Sequence, residues 1–140
     1  MITAIDTNVI VGLWDAEDAL YLRSLKLLDN VSGGGGLIIC GAVYGELLAC
    51  PGRTEDFVEE FLDDTGITVD WSSSENVWRT AGSAFQKYAG RRRRQKLTHP
   101  RRILTDFYIG AHALCYGYGL LTLDDGIYRA AFPELNVVQA

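Results

Sequence analysis

The sequence predicts an α/β fold, a three-layer α/β/α sandwich with a central, mostly parallel five-stranded sheet. Three observations lead there. Short aliphatic runs alternate with longer stretches whose apolar residues recur every three or four positions, and such alternation closes as parallel strands joined by right-handed crossovers. Two strand-like runs end alike, one as Ile5-Asp6-Thr7-Asn8 and a later one as Leu121-Thr122-Leu123-Asp124, so polar groups arrive where a buried strand leaves its sheet. The 140 residues suit a single domain, 1–140, of about five strands, large enough to bury roughly 68% of its unfolded surface in one core.

The elements follow in order. Met1 to Ile5 is the first strand, and after Asn8 an apolar helical turn runs to Leu13 or Trp14. Asp15-Ala16-Glu17-Asp18 opens a second helix, in which Tyr21, Leu22, Leu25 and Leu28 form an apolar stripe ending near Asn30. Gly33 to Gly36 leads into a buried strand, Leu37 to Cys40; a phosphate cradle opens a helix instead, so no nucleotide loop is expected there. Gly41 starts a helix carrying Val43, Glu46, Leu47 and Ala49, and Pro51-Gly52 stops it. Arg53 to Thr65 is amphipathic, with Phe57, Val58, Phe61 and Leu62 inward. Gly66 to Val69 reads as a short edge strand. One of Ser72, Ser73 and Ser74 caps the next helix, whose Val77, Trp78, Ala81 and Phe85 are expected in the core on the way to Tyr88. The stretch 89–102, broken by Pro100, is expected as a mobile helix end and loop. Asp106 stands in the first turn of a helix from Phe107 to about Tyr116, with His112 as a satisfied core or groove histidine. Gly119 to Asp124 is the next strand, Ile127 to Phe132 a short helix, and Asn136 to Val138 the last strand.

Charge and cysteine usage narrow the class. The net charge is -5, yet seven of the thirteen basic residues (Arg91, Arg92, Arg93, Arg94, Lys96, Arg101, Arg102) crowd into positions 91–102. A basic stripe on an acidic body permits nucleic-acid binding, because phosphate contacts are local. Cys40, Cys50 and Cys115 are odd in number and lack zinc spacing, and read as buried free thiols of a reducing compartment. No apolar span reaches membrane length, and the chain opens on strand-like sequence without a basic leader, so a cytoplasmic protein is expected.

Four acids form the chemical argument. Asp6 and Asp124 end strands, Glu46 is the lone charge between Leu37 and Gly52, and Asp106 enters a late helix. In a parallel sheet these places share the carboxyl edge, where ligands bind. Two carboxylates ~4 Å apart repel by about 4 kcal/mol at an effective dielectric near 20, so such a set must bind a divalent cation, hold protons, or keep its members apart. Oxygen ligands alone select Mg²⁺ or Mn²⁺, an ion suited to hydrolysing a phosphodiester.

These residues carry a resemblance. Asp6-Thr7-Asn8 after the first strand, Glu46 after the second, Asp106 in Thr-Asp-Phe-Tyr-Ile-Gly-Ala-His-Ala, and Leu121-Thr122-Leu123-Asp124-Asp125 together resemble the PIN domain, in particular the VapC-type toxins of toxin-antitoxin pairs. The resemblance spans essentially the whole chain. It implies a Mg²⁺- or Mn²⁺-dependent endoribonuclease, usually a homodimer, silenced by a cognate antitoxin whose tail enters the acidic groove. It also implies that Asp6, Glu46, Asp106 and Asp124 are the catalytic metal-site acids, with Thr7, Asn8 and Thr122 as polar supports and Asp125 as a support or a helix cap. The basic stretch is longer than the resemblance leads one to expect, and its concentration of charge suggests a grip on the RNA backbone.

Two rival classes fit the sequence less well. A doubly wound phosphatase or phosphoryl-transfer enzyme also begins with Asp after the first strand, but the haloacid dehalogenase type wants a second Asp where Asn8 stands, and a late lysine, whereas none follows Lys96. A non-catalytic protein-binding module would not need all four acids.

Overall fold

A computed structural model of the chain describes residues 1–95 and 102–138. Five strands, β1 (Thr3–Ile5), β2 (Leu37–Cys40), β3 (Thr68–Asp70), β4 (Gly119–Leu121) and β5 (Val137–Val138), form one sheet in the order β3-β2-β1-β4-β5, and every pairing is parallel. Among the described residues the connections carry α1 (Thr7–Leu13), α2 (Tyr21–Val31), α3 (Gly41–Leu48), α4 (Glu55–Thr65), α5 (Glu75–Gln95), α6 (Leu104–Tyr116) and α7 (Asp125–Ala131).

The chain steps from β1 outward to β2 and β3, then crosses back to β4 and β5 on the other side of β1. Right-handed connections in these opposite directions send helices to both faces of the sheet. They also leave a crevice at the carboxyl ends of β1 and β4, the point where the direction of winding reverses. The strands are short because both faces are covered and each strand needs only its aliphatic centre: Ile5, Ile39, Leu120 and Leu121 are almost wholly buried, against Val9, Ile10, Val43, Leu47 and Val58 from the helices. Among the described residues no helix is long and apolar enough to cross a membrane.

Several local expectations are corrected. In α2 the inward face is Ser24 and Leu27, whereas Leu22 is 75% exposed and Leu25 points outward as well. The reason is a close helix crossing: a Cβ added to Gly12 of α1 would stand 2.3 Å from the Ser24 Oγ, so α2 must present a small residue there, and Leu22 and Leu25 turn away while Leu27 and Leu28 pack on the core. Helix α5 runs past Tyr88 through Arg91–Arg94 to Gln95, so the basic stretch as far as Gln95 is helix end and not loop. Arginine is a good helix former, and cations in the last turn suit the carboxyl-end dipole, which outweighs their mutual repulsion. Trp78 is not a core residue, being 49% exposed. Cys40 is buried, but Cys50 and Cys115 are only partly so. Lys96, His99, Pro100 and Arg101 lie outside the described residues.

Candidate active site

Asp6 leaves β1 in extended conformation at the N-cap position of α1, and its side chain makes no capping bond to that helix. Its backbone N–H donates to the Leu121 carbonyl at 2.9 Å, which fixes it beside the end of β4. The loop after β4 then closes over it. The Thr122 hydroxyl donates to Asp6 Oδ2 at 2.8 Å and accepts the Asp124 N–H at 3.0 Å, while Asn8 Oδ1 accepts the Leu123 N–H at 3.1 Å. These bonds join the β1–α1 turn to the β4–α7 turn, so the two runs with matching endings support each other.

Asp6 is only 6% exposed. Burial pushes its pKa up to about 6; hydrogen bonds from Thr122, Tyr128 and the Thr7 backbone pull it back, and the charge of Asp106 adds a smaller upward push. Tyr128, from α7, is almost fully buried, and its phenol is held well above its ordinary range by that burial and then by the charges of Asp6, Asp106 and Asp124. One buried phenol therefore senses three of the four acids. The fourth is tied in from the other side, where the Thr7 hydroxyl donates to Glu46 Oε1 at 2.7 Å.

Asp106 sits in the first turn of α6 and accepts the Ile103 N–H at 3.2 Å; isoleucine offers no side-chain acceptor in return, so this is half a capping box. Asp124 is ion-paired with the Arg102 guanidinium, and the Arg102 N–H donates to the Tyr88 hydroxyl at 2.9 Å. Asp125 turns along its own helix to Arg129, 3.3 Å away, in an exposed pair. Each of the four acids thus has a partner of its own, and among the described residues no three Asp, Glu, His or Cys side chains are gathered tightly enough to hold a metal ion. The chemistry of the donor set nevertheless suits a hard cation: four carboxylates, one of them already facing a guanidinium.

Of the basic residues proposed to grip RNA, Arg102 is drawn into the acid cluster, while Arg91–Arg94 lie on the last turns of α5. His112 is buried, with Nε2 2.8 Å from Asp70 Oδ2, as a satisfied core histidine should be. Sequence reasoning missed Tyr128 and the inward turn of Arg102. The first had a signal: a tyrosine three residues after Asp125 falls on the face of a short helix that must cover the acids.

Residues 3–133 match the PIN domain. A search of the curated proteins finds no match. Among solved structures, the chain is similar to VapBC-1 from nontypeable Haemophilus influenzae, with 20% identity, a TM-score of 0.65, and 99% of this chain and 98% of that one covered. It is similar to FitAcB from Neisseria gonorrhoeae, at 20% identity and a TM-score of 0.65 with 99% and 97% covered. Mycobacterium tuberculosis VapC20, a toxin that cleaves the sarcin-ricin loop, shares 16% identity and a TM-score of 0.64, with 99% of both chains covered. With the family match spanning nearly the whole sequence, the chain belongs to the PIN domain family.

Proposed function

We propose that this chain is a Mg²⁺- or Mn²⁺-dependent endoribonuclease, the toxin of a toxin-antitoxin pair, working in the cytoplasm as a homodimer. The observation that carries the reading is the buried Asp6 carboxylate at the β1–β4 reversal, with Asp106 in electrostatic reach, Asp124 tied to Asp6 through the Thr122 hydroxyl, and Glu46 hydrogen-bonded to the neighbouring Thr7. Asp6, Glu46, Asp106 and Asp124 are the oxygen donors that would hold the cation. When bound, the metal supplies charge neutralisation at the phosphate and an acidified water for in-line attack.

The protein's own contribution is placement. Thr122 and Asn8 lock the two loops so that Asp6 and Asp124 keep their separation, and Thr7 orients Glu46. Tyr128 closes the floor of the site and excludes water from beneath Asp6. Arg102 balances Asp124 in the absence of other cations, and a guanidinium at that place is a ready phosphate ligand. Arg91–Arg94 extend the cationic path for the RNA backbone. A cognate antitoxin would silence the site by placing its tail in the acidic groove, and the similarity to VapBC-1 supports a partner of that kind.

The test is cleavage of a structured RNA in Mg²⁺, Mn²⁺ or EDTA by the wild type and by Asp6→Asn. Cutting should require the divalent ion and fall by roughly 10²- to 10³-fold in the variant. Undiminished cutting in EDTA, or by Asp6→Asn, would refute the proposal.

A further inference from the structure

Beside the acids lies a cleft of about 300 Å³ that the nuclease chemistry leaves without a task. Its walls are Trp71, which follows β3, and Trp78, on α5, and its floor includes Tyr108 and Thr105 of α6. Trp71 is 66% exposed and Trp78 49% exposed, although in a chain of 140 residues with three tryptophans the hydrophobic effect would ordinarily draw both inside. Neither ring is loose. The Trp71 ring meets the Tyr44 ring edge-on at 4.9 Å between centroids and lies across the start of α3, where a Cβ on Gly41 would stand 3.7 Å from its Cε3. The Trp78 ring is tilted against Tyr108 at 4.5 Å, and its indole N–H is held by the Ser73 hydroxyl.

We infer that this cleft receives an unpaired nucleobase of the RNA, next to the nucleotide whose phosphate is cut. The inference rests on the nuclease reading and deepens it. Two braced indoles offer flat apolar faces, and Thr105 lines the same cleft with Ser72 and Ser73, whose hydroxyls are bonded to Asp70 and to Trp78 and Tyr108, a mainly apolar lining that matches the π faces of a base. Position argues for the same occupant. Thr105 immediately precedes Asp106, and Ala42, also lining the cleft, lies one helical turn before Glu46 on α3, so the cleft and the acid cluster are built on the same two helix starts. A strand laid across the acids passes this mouth with its neighbouring base directed at the indoles. At about 300 Å³ the cleft suits one planar group rather than the apolar face of a helix.

The test uses single-stranded RNA oligonucleotides in EDTA, where cutting is suppressed, and follows tryptophan emission. Trp14 is packed against Phe57 and Phe61 in a separate cluster, so quenching would report Trp71 and Trp78. Binding should quench emission; an oligonucleotide with one abasic position at the cleft should bind roughly 5- to 100-fold more weakly, and Trp71→Ala should show the same loss toward the intact strand, with Trp71→Phe restoring most of it. In Mn²⁺, Trp71→Ala should raise KM while leaving kcat at saturating RNA nearly intact. Cutting by the wild type with affinity unaffected by Trp71→Ala and by every abasic position would overturn the cleft assignment and leave the nuclease reading standing. A Trp71→Ala variant that changes from dimer to monomer without losing RNA affinity would also overturn it, assigning the indoles to a contact between copies. Neither cutting nor binding by the wild type would overturn both.

Discussion

A carboxylate buried like Asp6 loses solvation that its hydrogen bonds from Thr122 and Tyr128 only partly replace, and the consequence is a pKa of about 6 instead of 3.8. Between those two pH values the folded chain binds a proton that the unfolded chain has released. Stability therefore falls as pH rises from about 4 to about 6 and stays at the lower level above. A difference of roughly two units corresponds to about 3 kcal/mol at neutral pH. Asp6→Asn, which keeps the shape and an acceptor for Thr122 but carries no charge, should raise the melting temperature at pH 7.5 by on the order of 5 °C and flatten the slope between pH 4 and 6. Thermal melts at pH 4.5 and 7.5 check this; a less stable variant at pH 7.5 would mean that the buried charge is compensated by groups other than those named. At this scale the matching endings of two aliphatic runs were the legible part: the turns that carry Asp6 and Asp124 are joined through Thr122 and Asn8. The sequence was silent about what each acid touches. Arg102, just before α6, pairs with Asp124, and Tyr128, on α7, faces Asp6, and neither contact is encoded in the spacing of the acids.

At the level of elements the site depends on one close approach. A Cβ on Gly110 of α6 would stand 2.4 Å from Phe132 Cε2 and 3.0 Å from Tyr128 Cδ1, so only glycine lets α7 lie on α6 with Tyr128 against Asp6. Gly110→Ala gains helix propensity of about 1 kcal/mol, but overpacking a ring pair of this kind costs typically 1–3 kcal/mol. We expect a net loss of stability together with a drop in the phenol's shielding, read as increased Tyr128 solvent accessibility by hydrogen exchange or ultraviolet difference spectroscopy. Equal or greater stability would mean that α7 shifts freely and that Tyr128 is not a fixed floor. The order and type of the elements were readable from alternation and periodicity, down to the short edge strand β3. Faces were less so. The leucines of α2 and the tryptophan at position 78 are as apolar as core residues, but whether they turn inward is decided by the neighbour's shape: Gly12 admits Ser24, and Tyr108 leaves Trp78 at the surface.

Across the whole molecule the charge is divided between an acidic body and a short cationic arc, and helix α5 gives that arc a direction. Arg91–Arg94 lie on its last turns, and the next described residue, Arg102, is fastened to Asp124 in the acid cluster. A backbone gripped along α5 would thus be led toward the acids rather than across the acid-rich surface of α4, with Glu55, Asp56, Glu59, Glu60, Asp63 and Asp64. Electrostatic contacts of this kind release counterions, so their number appears in the salt dependence of binding: about 0.7 in the slope of log K against log salt for each phosphate neutralised on a single strand. Replacing Arg91–Arg94 together with alanine should weaken RNA binding in low salt and lower that slope by up to about 3, with little effect on folding because alanine preserves the helix. Fluorescence or filter-binding titrations between 50 and 200 mM salt, with circular dichroism as the control for α5, would measure it. An unchanged slope with intact helix content would remove these arginines from the RNA path and leave them as the dipole-matched end of a long helix.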